Sequence, residues 1–388
     1  MARAAPLSFR PHRPSEDAPK NPGGPSPRET GRGARSNESG RYENEKREVA
    51  DDGWRDAEEA GRFNDGEELP PLRTEVTLET PRRIITYNKS PYVGFDRSIN
   101  PYRGCEHGCI YCFARPSHAY MGLSPGLDFE TRLFAKPSAQ KLLEKELADP
   151  RYKPRVVAMG TNTDPYQPVE RRFQIMRGVL SVFSRFNHPV TVLTKGHLIT
   201  RDVDILAPMA AKNLTRAMIS ITTEDRKLAR SMEPRASAPG RRFDAVKTLA
   251  DAGVPVGIMT GPMIPGLNDS EMEAIMERAA DLGATFSAHT ILRLPLEVSP
   301  LFQEWLETFA PNRAARILRH IREMNGGRDY DPHWSRGREI STPYARLIDQ
   351  RNAVARARLG FDRENAPLDL SQFRVPSQAS GQYDLFEA

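Results

Sequence analysis

The sequence predicts an α/β protein built on a parallel sheet, and three observations carry that prediction. Short apolar runs alternate with amphipathic stretches six times between Ser98 and Leu292, the pattern of strand, crossover helix and parallel strand. Polar residues cluster directly after several of the apolar runs, where the C-terminal ends of parallel strands place their chemistry. The three cysteines of the chain, Cys105, Cys109 and Cys112, all follow the first run within eight residues of one another. Both a partial barrel and an open doubly wound sheet satisfy the alternation alone.

The elements follow in order. Residues 1–40 are rich in Pro, Gly, Ser and Arg, with seven basic and four acidic residues, and 41–68 carry five basic and eleven acidic. Neither stretch has the apolar content to repay ordering, so 1–70 is expected to be a disordered leader. Glu16, Asp17, Glu29 and Glu38 argue against a transit peptide. Residues 71–97 contain RTEVTLET and RRIITYN, which alternate like short lead-in strands. The core, 98–296, is expected to hold strands at Ser98–Tyr102, Val156–Gly160, Val190–Leu193, Arg216–Ile221, Val254–Met259 and Thr285–Leu292. Helices fall between them at Ser138–Ala148, with Ser138 as N-cap, then Val169–Phe186, Val203–Ala211, Arg242–Ala252 and Ser270–Leu282.

Residues 297–365 form a helical, arginine-rich extension in which LFQEWLETF and RAARILRHIREM read as amphipathic helices. From Pro311 to Asn365 twelve basic residues, all arginine, face seven acidic ones, and arginine's planar fork suits phosphates. His333-Trp334-Ser335-Arg336 adds an aromatic able to stack on a base. The tail, 366–388, is expected to be flexible. The net charge of +5 over 388 residues permits a nucleic-acid partner without demanding one. No apolar run is long enough to span a bilayer, and few cysteines suit a reducing compartment, so a cytoplasmic protein is expected.

The chemistry centres on NPYRGCEHGCIYCFAR. Three thiolates at C-x3-C-x2-C spacing can hold three corners of a cubane iron–sulfur cluster and leave the fourth iron open to a substrate or cofactor. A Cys3His zinc site using His107 or His118 is the rival reading, although structural zinc usually draws its ligands as two separated pairs. A disulfide framework fits poorly, since the cysteine count is odd and no secretory signal precedes it.

The loop, including Ile110-Tyr111 before the third cysteine, resembles that of the radical S-adenosylmethionine (SAM) superfamily. That resemblance selects the partial, six-stranded TIM-like (β/α)6 barrel and implies a 4Fe-4S cluster, SAM bound at its open iron, an external one-electron donor and a 5′-deoxyadenosyl radical. Chemically, SAM needs a cation for its carboxylate and acceptors for its ammonium and ribose, which Lys195, Thr163, Asp164 and Ser220 can supply. Thr163-Asp164-Pro165 with Glu170, Thr194-Lys195, Ser220, and Glu233-Pro234-Arg235 followed by Arg242 resemble the spore-photoproduct-lyase-like, DNA-repair branch. On that resemblance Arg235 seconds Lys195 and Tyr111 lies near the adenine. One departure matters: where those lyases carry a hydrogen-donating cysteine, this chain has Thr161-Asn162. The photoproduct reaction in that form is therefore not expected.

His289 and Arg293 in SAHTILRLP are the substrate-side candidates, and the glycine-punctuated run Thr260–Gly266 either passes the adenosyl group or turns. Gln382, Leu385 and Phe386 resemble the short peptide by which DNA-processing proteins dock on the replication sliding clamp. A nucleic-acid base or lesion is the expected substrate. The alternatives are a peptide or small metabolite, or a non-catalytic metal-containing module that recruits partners through its tails.

Overall fold

The computed structural model describes residues 31–43, 72–89, 93–330, 342–362 and 366–376. Its centre is a sheet of six parallel strands: β1 (Arg97–Ile99), β2 (Val157–Met159), β3 (Val190–Thr194), β4 (Thr215–Ser220), β5 (Val256–Met263) and β6 (Phe286–Ile291). Each strand pairs with the next in sequence, as in Val157↔Val190, Val190↔Thr215 and Ala217↔Val256. β1 and β6 remain the two ends of this order, and a two-residue strand, Thr86–Tyr87, adds antiparallel outside β1. The result is the partial (β/α)6 barrel, open between its first and last strands.

The helices that cover it are α1 (Ala139–Leu147), α2 (Ile175–Arg185), α3 (Val203–Ala211), α4 (Pro239–Asp251) and α5 (Met272–Asp281). Their buried stripes, such as Val179, Leu180, Val182 and Phe183 on α2, pack with Val190, Val192, Ile219, Val256 and Ile258 in one core. Burial of a Val, Leu, Ile or Phe side chain contributes roughly 1.5–3 kcal/mol, and the strands alternate accordingly: Val190, Val192 and Thr194 of β3 are buried while Thr191 and Leu193 between them are half-buried.

Three local expectations change. The first strand stops at Ile99, because Pro101 has no N–H for a ladder. Tyr102–Arg103 instead pairs antiparallel with Arg132–Ala135 in a separate three-stranded sheet that includes Glu75–Leu78. The long helix expected over Val169–Phe186 is two pieces, Glu170–Phe173 and α2, divided at Gln174, whose φ is 49°. Glu170 then folds back to accept the N–H of Met176 at the start of α2. Ser138 precedes α1 but makes no capping hydrogen bond.

A further amendment concerns residues 31–43, expected within a disordered leader. Ala34 is buried, Gly33 N and Ala34 N donate to Glu130, and Ser36 Oγ donates to Glu304 Oε2 at 2.8 Å. Arg41 pairs with Glu297. This strip therefore joins the lobe that follows the cysteines, on the β1 side, to residues that follow β6.

After β6 come α6 (Val298–Phe309), α7 (Pro311–Met324) and α8 (Pro343–Leu359). Trp305 of α6 stacks on Phe302, and its indole N–H reaches Ser231 O at 3.0 Å. α8 packs on α5 through Arg351–Glu273 and Arg358–Glu277. Part of the arginine excess is thus taken up in ion pairs between helices, while Arg313, Arg316 and Arg319 of α7 face outward. Among the described residues no helix is long and apolar enough to cross a membrane. The His333–Arg336 run and the peptide containing Gln382, Leu385 and Phe386 lie outside the described residues.

Candidate active site at the cysteine loop

The loop that follows β1 carries Cys105, Cys109 and Cys112 as free thiols, the first two buried and the third partly so. Gly108 turns the chain at φ 67°, and a Cβ there would sit 2.6 Å from Glu130 Oε2, so only glycine fits between the loop and its support. That support is Arg115. Its fully buried guanidinium donates to Cys109 O, Gly108 O, Pro125 O and Gly126 O and pairs with the buried Glu130. From the other side Gln167 accepts Glu106 N at 2.7 Å and donates to Gly104 O at 3.2 Å. The carbonyls and N–H groups of a tight loop that cannot pair among themselves are thereby satisfied.

Burial pushes all three thiols up, Cys109 to about 12, and for Cys105 the neighbouring Asp164 adds to it. Such thiols stay neutral unless a metal centre takes them as thiolates. Among the described residues no three His, Cys, Asp or Glu side chains converge as ligands of a single metal ion. His107 meets Asp164 at 3.4 Å, and His118 meets Arg132 O at 2.9 Å. The donor set is thus three sulfurs from one loop, which fits three corners of a cubane cluster.

The polar strand ends converge above the loop. Lys195, at the end of β3, donates to Ser220 Oγ of β4 at 2.8 Å, lies 3.9 Å from Glu233 and stands 5.7 Å from the Tyr111 ring centre. Glu233 accepts from Thr222 Oγ1 at 2.7 Å, from the Tyr111 hydroxyl and from buried Arg242. Burial opposes the Glu233 charge, but Arg242 and Lys195 outweigh it and hold the carboxyl at about 2. Lys195, Ser220 and Tyr111 are therefore brought together, with a buried carboxylate between them that the sequence marked only as part of a connecting segment. The run after Thr260 continues β5 to Met263, and Gly261 O accepts from Ser220 and Thr222 at 3.3 Å.

Other predicted residues have different company. Asp164 accepts from Thr194 Oγ1 at 2.6 Å, Lys195 N at 2.7 Å and Tyr166 N at 2.9 Å. Burial again opposes its charge, and His107 with these donors holds its carboxyl at about 2. Thr163 donates its hydroxyl to Tyr102 O, and Asn100 Oδ1 gathers the N–H groups of Asn162 and Thr163. Glu170 takes the Tyr102 hydroxyl and Arg201. These residues lock the ends of β1, β2 and β3 to one another. Arg235 pairs with Glu106, whose Oε1 also accepts from Thr74.

His289 has a partner on another element. His289 Nε2 meets Asp349 of α8 at 2.7 Å. Arg293, beyond β6, has its guanidinium lowered by burial, with Tyr330 nearby opposing that shift.

Comparisons with known proteins place this arrangement in context. A family model described as the radical SAM superfamily matches residues 99–279. An uncharacterized protein of Mycobacterium tuberculosis is 32% identical over 290 residues, covering 74% of this chain and 82% of its own. An uncharacterized protein of Methanocaldococcus jannaschii is 25% identical over 199 residues, covering 51% and 71%. Among solved structures, spore photoproduct lyase complexed with dinucleoside spore photoproduct aligns at a TM-score of 0.46 and 13% identity, over 60% of this chain and 66% of that one.

Proposed function

Because the chain belongs to the radical SAM superfamily, we propose that it cleaves SAM reductively at a 4Fe-4S cluster on Cys105, Cys109 and Cys112, and that a nucleic-acid base or lesion is the substrate. The cluster would supply the electron that breaks a carbon–sulfur bond of SAM and so yields the 5′-deoxyadenosyl radical. What supports the reading most is the meeting of Lys195, Ser220 and Tyr111 beside three thiols, two buried and one partly so, that lack a fourth protein partner of their kind.

In this reading Lys195 exchanges its hydroxyl partner for the SAM carboxylate, a charge-assisted contact stronger than the neutral one it replaces. Ser220, released by Lys195, meets the amine or ribose. Tyr111 lies beside the adenine, its hydroxyl tied to Glu233 and Thr222 so that the ring cannot swing. Asp164 and Thr163 hold the floor through Lys195 N and Tyr102 O, and Arg235 braces Glu106 next to Cys105. His289 and Arg293 remain candidates for the substrate side only if substrate extends beyond β6. The nucleobase assignment draws on the sequence resemblance and on the exposed arginines of α7.

Anaerobic reconstitution followed by dithionite and SAM tests the reaction. Released 5′-deoxyadenosine and methionine, lost in Cys109→Ala and reduced at least about tenfold in Lys195→Met (about 1.4 kcal/mol), are the expected result. A cluster-loaded protein that leaves SAM intact rejects it. Deuterated oligonucleotides test the substrate, because deuterium should move from a base into 5′-deoxyadenosine.

A further inference from the structure

We propose that the groove outside the short helix Arg226–Met232 is a track for the phosphate backbone of a nucleic acid. The proposal rests on the nucleobase reading above. The groove encloses about 910 Å³ between the β4–α4 connection, the β5–α5 connection and the corner where α6 meets α7. Lys227, Arg230 and Arg313 line it, all three exposed, and none has an ion-pair partner among the described residues. Its two lining carboxylates are already engaged. Asp225 accepts Lys227 N and Leu228 N, and Glu271 accepts Thr223 Oγ1 at 2.6 Å and Glu224 N at 2.7 Å.

The cationic line continues along α7. Arg316 donates to Gly266 O at 3.5 Å, and Arg319 is 3.9 Å from Glu323. A series of cations beside an open groove suits a strand of regularly spaced charges, and the arginine fork binds phosphate in a bidentate manner. The position fits the chemistry as well. Met232, at the end of the groove helix, accepts Ile110 N of the cysteine loop at 3.0 Å. Leu228, Leu267 and Ala310 of the groove wall pack in one cluster with Cys109 and Ile110. A backbone lying there is therefore in packing contact, through this one cluster, with the loop that carries the cysteines.

The test is fluorescence anisotropy with a labelled single-stranded oligonucleotide, using the full chain without cluster and repeated over a range of salt. Lys227→Gln, Arg230→Gln and Arg313→Gln should each weaken binding alike on unrelated sequences and flatten the log–log salt slope by about 0.7 per charge. Lys247→Gln on α4, which does not line the groove, should change nothing. Dithionite-driven SAM cleavage without nucleic acid should persist in every variant, which separates lost phosphate contacts from misfolding. Salt slopes identical to the wild type in all three variants, or a wild type that does not bind, overturn the track. So does a set of variants that binds nucleic acid normally but loses reduction by an acidic redox protein, which would give the groove to that partner. Deuterium transfer from a base with unchanged slopes would leave the substrate reading standing without the track, and flattened slopes without transfer would do the reverse.

Discussion

Two arginines show how differently the mouth of the barrel and its outer shell use charge. Arg115 is fully buried behind the cysteine loop, donates to four backbone carbonyls and pairs with a carboxylate that is itself fully buried. Arg351, on α8, makes a bidentate pair with Glu273 of α5 and keeps about a quarter of its side chain in water, 28% by exposure. The surface pair can be replaced by water when one partner is lost. The buried pair cannot, because deleting either member strands a charge in a site without solvent and at the same time frees the carbonyls that shape the loop. Around the cysteines the fold has therefore placed its most expensive interactions where geometry must not drift.

The largest expected effect breaks that contrast directly. Arg115→Leu should destabilise the protein by about 3–5 kcal/mol and abolish retention of iron and sulfide on anaerobic reconstitution. Arg351→Gln should cost at most about 1 kcal/mol and leave cluster loading untouched. Urea unfolding with iron and sulfide analysis measures both, and comparable losses in the two variants would dissolve the distinction. Glu130→Gln tests the same pair from the other side: it retains one acceptor for Gly33 or Ala34 but leaves buried Arg115 without its counter-charge, so a loss of the same order is expected.

A second prediction carries the comparison to a buried group with no charge. His188 sits under Tyr152, Phe183 and Phe373, donates Nδ1–H to Pro189 O at 3.0 Å and, as a neutral ring, accepts the Tyr152 hydroxyl at Nε2, 2.8 Å away. Burial pushes its imidazole down to about 4, so it folds neutral. The unfolded chain, with histidine near 6.5, binds the proton first. Stability should therefore fall as pH drops from about 6.5 to about 4, by up to roughly 3 kcal/mol, and level off with respect to this group below that. Chemical denaturation across that range should show the slope, and His188→Gln should remove its share and leave that of His118, whose imidazole burial also pushes down to about 4. An unchanged slope in the variant would assign the loss to other groups.

These contrasts also mark what the sequence could and could not disclose. The six strands and the cysteine loop are legible in the sequence, because apolar periodicity and residue spacing are local signals, whereas the contact of Lys195 with Ser220 joins two strands and is not. The 31–43 strip was not. Its composition is that of a disordered segment, and what orders it is Glu130, nearly a hundred positions away, whose two oxygens take the N–H groups of Gly33 and Ala34. Arg115 stood three residues beyond Cys112 with nothing to distinguish it from a surface arginine. Asp164 and Thr163 were recognised as polar strand ends, but whether such a group faces a cofactor or ties strands together depends on partners such as Asn100 and Tyr102, which no periodicity reports. Glu233 was visible only as part of an acidic–basic segment, and its placement between Tyr111, Thr222 and Arg242 follows from the β4–α4 crossover.

The smallest expected effect concerns His289, the residue whose sequence context suggested a substrate role. Its imidazole is partly exposed and meets Asp349, whose side chain is 40% exposed, across the gap between β6 and α8. An ion pair with that much water around it contributes about 0–1 kcal/mol, so His289→Ala should lower stability by no more than that. Because its polar contact is to α8 and not to Lys195, Ser220 or Tyr111, SAM cleavage in the variant should proceed at the wild-type rate. A defect confined to deuterium transfer from substrate, with 5′-deoxyadenosine still released, would instead place the substrate over the β6 edge of the open barrel. A defect in both would mean that α8, though outside the barrel, sets the position of β6 and through it of Gly261, whose carbonyl receives Ser220 and Thr222. Asp349→Asn separates these outcomes: it keeps the contact to His289 but removes the charge, so a loss that follows geometry is spared by this change while one that follows the charge on the pair is not.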